Sequence, residues 1–176
     1  FVQGKEEKKK EEELIINNRW TGECENTVVA LDQGGKLLSK VRIVFYGQNS
    51  ANTSDEMQAL RKELSPLLSA HSDENDLNPK LFARVKSVYE RRNELNLDKE
   101  KAKLLEEVYK GFVRGGANLP EDQQARLREL NSEISLMQLT FGQNMLKETN
   151  AFQLIIEKEE DLSGLSESLI ANAAED

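Results

Sequence analysis

The stretch LPEDQQARLRELNSEISLMQLTFGQNMLKETN, residues 119–150, decides the fold class. Leu119-Pro120-Glu121 opens a helix, with proline where a missing N–H costs nothing. Leu127, Leu130, Ile134, Met137 and Phe141 then alternate steps of three and four, the seam of a coiled-coil-like hairpin. A helix of this length needs antiparallel neighbours, so the search outward is for more helices.

Upstream, Asp98 caps a helix whose apolar stripe is Leu104, Leu105, Val108, Tyr109 and Phe112, stopped by Gly115-Gly116. Before it, Asn78-Pro79 pairs an N-cap with a first-turn proline, and Leu81, Phe82, Val85, Val88 and Tyr89 supply the buried face. Thr53 followed by Glu56 predicts a capping box, with Leu60, Leu64, Leu67 and Leu68 behind it. Pro66 is expected to kink that helix, and His71 to Leu77 to form a polar loop. Asn26-Thr27 starts a helix carrying Val28, Leu31, Leu38, Val41 and Phe45, bent but not broken at Gly34-Gly35; Asn49 to Asn52 is a polar link. The Lys/Glu blocks of Lys5–Glu13 form a solvated helix ended by Asn17-Asn18. Residues from Trp20 to Cys24 read as a connection.

Downstream of the long helix, Phe152-Gln153-Leu154-Ile155-Ile156 is short, apolar and partly β-branched, which predicts one short strand near residues 151–157. A last helix begins near Ser166. The expected class is therefore mainly α, built of antiparallel helical hairpins with one short strand. Its predicted division is a charged helix and loop over 1–24, then a helical domain over 25–176.

Composition removes several functions. The 176 residues carry a formal net charge of −8, with basic and acidic residues interleaved, so no basic stripe exists to displace counterions from nucleic acid. No apolar run reaches the ~20 residues of a membrane span. Phe1-Val2-Gln3-Gly4 followed by charges is not a signal peptide. The single cysteine permits no internal disulfide, and a cytoplasmic protein is favoured.

The chemistry is sparse. A catalytic zinc needs about three protein ligands around an open position. The chain offers one histidine, His71, and one cysteine, Cys24, and no His-Glu-x-x-His. His71 is expected at a polar helix end, where the dipole favours a cation. Glu23 and Glu25 beside Cys24 disfavour a thiolate. Glu157 to Asp161 lacks calcium-loop spacing and reads as a solvated turn. Gly111 to Gly116 follows a helix and lacks the Lys-Ser/Thr ending of a phosphate loop. Lys36 to Tyr46 is basic and amphipathic, and is better read as a packed helix than as a membrane or calmodulin-type target. No catalytic, cofactor-binding or metal residue is assigned.

Several strings together resemble one family. They are Glu25-Asn26-Thr27-Val28-Val29-Ala30-Leu31, Asn49-Ser50-Ala51-Asn52-Thr53-Ser54-Asp55-Glu56 and Leu64-Ser65-Pro66-Leu67-Leu68-Ser69-Ala70-His71. Asn78-Pro79-Lys80-Leu81-Phe82, Gly115-Gly116-Ala117-Asn118-Leu119 and Thr140-Phe141-Gly142-Gln143-Asn144-Met145-Leu146-Lys147-Glu148-Thr149-Asn150 follow in order. From about Glu25 onward the chain resembles the zinc metallopeptidase family of peptidyl-dipeptidases (dipeptidyl carboxypeptidases) and thimet-type oligopeptidases, its bacterial peptidyl-dipeptidase branch above all. The resemblance implies the N-terminal portion of a larger all-helical peptidase fold, forming part of one wall of a channel for short peptides. It implies zinc in the parent hydrolase and none in this chain, because the family's zinc motif lies far downstream. The partners implied are the remainder of the peptidase chain and short peptide substrates, with self-association of the fragment through uncovered apolar faces. In place of the family's Pro-rich stretch ending in Thr-Phe stands Arg19-Trp20-Thr21-Gly22-Glu23-Cys24. The competing reading is a free-standing helical protein-interaction module.

Overall fold

A computed structural model of the chain describes residues 1–18 and 23–174. They form two compact units, Phe1–Leu139 and Thr140–Asp176. The expected connection from Trp20 lies largely outside the described residues.

In the first unit, α1 (Val2–Asn17) is followed by a π-helical turn (Glu25–Val29) that runs into α2 (Ala30–Gln33). Then come α3 (Lys36–Ala51), α4 (Asp55–Asp76), α5 (Pro79–Glu90) and α6 (Lys99–Arg114); α7 (Glu121–Ala151) starts in this unit. Local chemistry sets most boundaries. Asn78 accepts from the N–H groups of Lys80 and Leu81, and Asp98 from that of Lys101, each satisfying helix-end donors. At the end of α6, Ala117 N–H reaches Phe112 O at 3.0 Å and Gly116 N–H reaches Val113 O at 3.2 Å. Gly116 there has φ +95°, so the helix closes in a Schellman motif.

Three expected boundaries move. Thr53 is not the cap: Ser54 accepts from Met57 N–H, while Thr53 bridges Asn49 and Gln58. Asn49 to Asn52 is no link, because α3 continues to Ala51 with Asn49 buried. Gly34-Gly35 breaks the helix outright, since Gly35 takes φ +68° and α3 starts anew. Glu11 of α1 accepts from Gly35 N–H at 2.7 Å, supplying from another helix the cap that the local sequence lacks.

The core lies where α5 and α6 pair antiparallel. Phe82 stacks on Tyr109 and lies against Phe112, and Tyr89 stacks on Tyr109 with centroids 3.9 Å apart. Arg92 covers the outer face of Tyr89 at 4.4 Å, extending the ladder by a cation–π contact. Val85, Val88, Leu81 and Leu105 are fully enclosed, each worth roughly 1.5–3 kcal/mol of transfer free energy. α1 completes a second antiparallel pair with α3, and Gly4 permits it: a Cβ there would sit 3.0 Å from the Leu38 backbone.

The long helix forms, but its predicted hairpin does not close within these residues. Leu130, Ile134 and Met137 remain exposed, as do Phe141 and Met145 beyond Leu139. The second unit holds a 3-10 turn (Glu159–Leu162) and α8 (Glu167–Ala173), capped by Ser166. The strand expected near residues 151–157 is absent: among the described residues no strand forms. A strand exists only with a hydrogen-bonding neighbour, and residues 153–157 make no backbone hydrogen bond.

Candidate functional site

A cleft of about 400 Å³ with a mostly polar lining opens in the first unit between α3, α4 and α7. Helical periodicity makes it. Ser65, Ser69 and Ser72 recur at one face of α4, and Asn131, Ser135 and Gln138 face them from α7 at the same spacing. Arg42 and Tyr46 of α3 and Arg61 of α4 line the cleft, with the Arg61 guanidinium 5.9 Å from the Tyr46 ring centre. Asn131 Nδ2 donates to Asp73 Oδ1 at 2.6 Å, tying α7 to the buried carboxylate. Ser72 Oγ donates to Asp76 Oδ2 at 3.2 Å. Burial raises the Asp76 carboxyl above the usual range, against the opposing pull of Ser72 and Lys8.

The lining of the cleft is mostly polar and assembles no Ser–His or Cys–His pair. Neither His71 nor Cys24 lines it. Cys24 is buried with Val28, Val88 and Leu105, and burial, aided by Glu25, pushes its thiol up and away from reactivity.

His71 departs from expectation. α4 runs on to Asp76, so His71 is no loop residue. The residue is 4% exposed, with neither ring nitrogen hydrogen-bonded and Glu74 4.0 Å away. Burial first, then Lys8 and Lys5, hold its pKa below the usual value, so the ring is neutral near pH 7. Around it Lys5 pairs with Glu74 at 3.6 Å, joining α1 to α4, while Lys8 pairs with Glu12 at 3.8 Å within α1.

No group of three or more His, Cys, Asp or Glu side chains able to hold a metal occurs among the described residues. The two softest donors, Cys24 and His71, sit on separate elements, so these residues do not fit a zinc ion. Among the described residues no helix is long and apolar enough to cross a membrane.

An all-α unit with a polar cleft and an exposed apolar face on its long helix is the class these observations define. No family model matches the chain. Over 99% of its length it is 38% identical to a dipeptidyl carboxypeptidase of Salmonella typhimurium and 37% identical to one of Escherichia coli. Over 88% of its length it is 24% identical to oligopeptidase A of Salmonella typhimurium. The chain belongs to the peptidyl-dipeptidase and thimet-type oligopeptidase family, on its bacterial side. It spans about a quarter (26%) of the length of these dipeptidyl carboxypeptidases.

Sequence reasoning did not assemble this groove, whose lining comes from α3, α4 and α7. The one local signal passed over was the repeat of Ser65, Ser69 and Ser72 at helical spacing on one face of α4.

Proposed function

We propose that these residues are a non-catalytic, N-terminal segment of a zinc-dependent peptidyl-dipeptidase or oligopeptidase, helping to form the channel that receives short peptides. The observation carrying this reading is the 38% identity spread over 99% of the chain but only 26% of the relative. The zinc of that reading is held by ligands outside these residues, where it would polarise the scissile carbonyl and activate water. The serine, asparagine and arginine side chains of the cleft suit a peptide backbone and its charged ends, without cleaving either. The exposed stripe Leu130, Ile134 and Met137 suits cover by the remainder of the peptidase. A boundary near residue 24 and a cytoplasmic location belong to the same proposal.

The test is direct. The purified 176-residue chain, supplied with zinc and short peptides, should release no dipeptide and retain no zinc after dialysis. Zinc-dependent cleavage by this chain alone would overturn the proposal. A helical module acting alone would instead show saturable binding of a protein partner with no longer peptidase chain encoding these residues.

A further inference from the structure

Residues 152–156 have the composition of a buried strand and the surroundings of none. The backbone N–H and C=O groups from Gln153 to Ile156 make no hydrogen bond. Phe152, Leu154 and Ile155 are each about three-quarters exposed, at 74%, 76% and 77%. The following Lys158 is extended, at φ −111° and ψ 130°. Bare backbone and bare apolar side chains together are the state of an edge strand lacking its neighbour. Either alone is common; together over Gln153–Ile156 they leave both strand-forming interactions unmet.

We infer that Phe152–Ile156 is a docking strand that pairs, along one edge, with a strand from the part of the peptidase chain outside residues 1–176. This rests on the reading of the chain as a segment of such a peptidase, about a quarter of its relatives' length. Charge narrows the partner. Glu157, Glu159, Glu160 and Asp161 follow the apolar run, broken only by Lys158. The partner strand therefore carries apolar residues opposite Leu154 and a lysine or arginine where it passes this acidic end.

The same charges weigh against a second copy in parallel register. In parallel register the two acidic runs would lie side by side, and like charges directly opposite are destabilising. An antiparallel second copy centred on Leu154 keeps the two acidic runs apart, and it would show itself as protection that rises with concentration.

Hydrogen exchange read by mass spectrometry on peptides covering 152–157 tests the inference, comparing the longer peptidase chain with residues 1–176 at micromolar concentration. The expected result is exchange slowed about a hundredfold in the longer chain and unprotected in the short one. Fast exchange in a longer chain that still cleaves peptides overturns the strand and leaves the peptidase reading intact. Protection in a longer chain that cleaves nothing supports the strand while that reading fails. Protection in the short chain that rises with concentration overturns the assignment, because a second copy is then the occupant.

Two substitutions in the longer chain, Leu154→Pro and Ile155→Pro, test the single edge. Consecutive strand amides point to opposite edges, and proline removes one donor. One substitution should abolish protection of the neighbouring amides and the other largely spare it. Equal loss, or no loss, overturns pairing along one edge.

Discussion

Arg84 of α5 is the side chain whose removal most directly tests how α1 and the π-helical turn are held to the core. Its Nε donates to Thr27 Oγ1 at 3.0 Å and its Nη1 to the Asn18 carbonyl at 2.9 Å. Nη2 makes a longer contact, 3.4 Å, with Asn26 Oδ1. Thr27 is fully enclosed, whereas the guanidinium is half-buried. Hydrogen bonds to charged groups are worth about 1.5–3 kcal/mol, so two good bonds and one weak one bracket a large loss. Thr27 keeps its bond to Asn26 at 3.1 Å, and Asn18 can turn to water, which pulls the figure down. The expected cost of Arg84→Ala is about 2–4 kcal/mol. Arg84→Met keeps the aliphatic stem and should lose nearly as much; Arg84→Lys keeps the charge without the fork and should recover about half. Urea denaturation followed by circular dichroism reads all three, with unchanged m-values showing that the unfolding reaction is the same. A loss below about 0.5 kcal/mol for Arg84→Ala, or an Arg84→Met variant as stable as the parent, would refute the reasoning.

Other substitutions probe other parts of the account. Gly4→Ala gains up to about 1 kcal/mol of helix propensity, but its methyl meets the Leu38 backbone at 3.0 Å, so overpacking of about 1–3 kcal/mol should leave a net loss in denaturation. Gly116→Ala meets both φ +95° and a Leu127 methyl at 2.5 Å, and should cost more than about 1 kcal/mol by the same assay. His71→Leu removes two unpartnered ring nitrogens and should stabilise by about 1 kcal/mol at pH 7. Because the folded-state pKa of His71 is depressed, acid protonates the unfolded chain first, and stability from this group is lost as pH falls from its ordinary value toward the lowered one. Glu12 and Asp76 act oppositely: their carboxyls are raised, chiefly by burial, so their penalty is relieved on acidification. The stability gap between His71→Leu and the parent should therefore widen from pH 7 to 5, and a gap that narrows would contradict the neutral buried ring. Met137→Glu should lower concentration-dependent association in light scattering while leaving the unfolding midpoint unchanged, since Met137 is 64% exposed.

What could be read from sequence follows the range of the interaction. Asn78, Asp98, Ser166 and Gly116 mark their helix ends through bonds within a few residues, so each boundary was legible where it stands. Gly34-Gly35 was misread because the conformation of Gly35 is fixed by Glu11 and Lys8, side chains of another helix. The burial of His71 depends on α1 lying over α4, which no local pattern encodes. The α7 seam has correct periodicity, yet Ile134 and Met137 are exposed because these residues supply no helix to cover them. The strand failed for the same reason: its pattern specifies a face and an edge but not a neighbour. In the site, the sequence placed one histidine and one cysteine far apart, and the structure sets them on separate elements. The cleft was not legible, since it takes side chains from three helices far apart in the chain.

The central claim is that these residues build a peptidase without performing its chemistry. Its most direct test is the kcat/KM for dipeptide release from a short peptide by the longer chain, with residues 1–176 present, deleted, or added back as a separate polypeptide. The account predicts zinc-dependent cleavage by the intact chain, a loss on deletion, recovery on addition, and no cleavage by residues 1–176 alone. Undiminished cleavage after deletion, or cleavage by the 176 residues themselves, would contradict it.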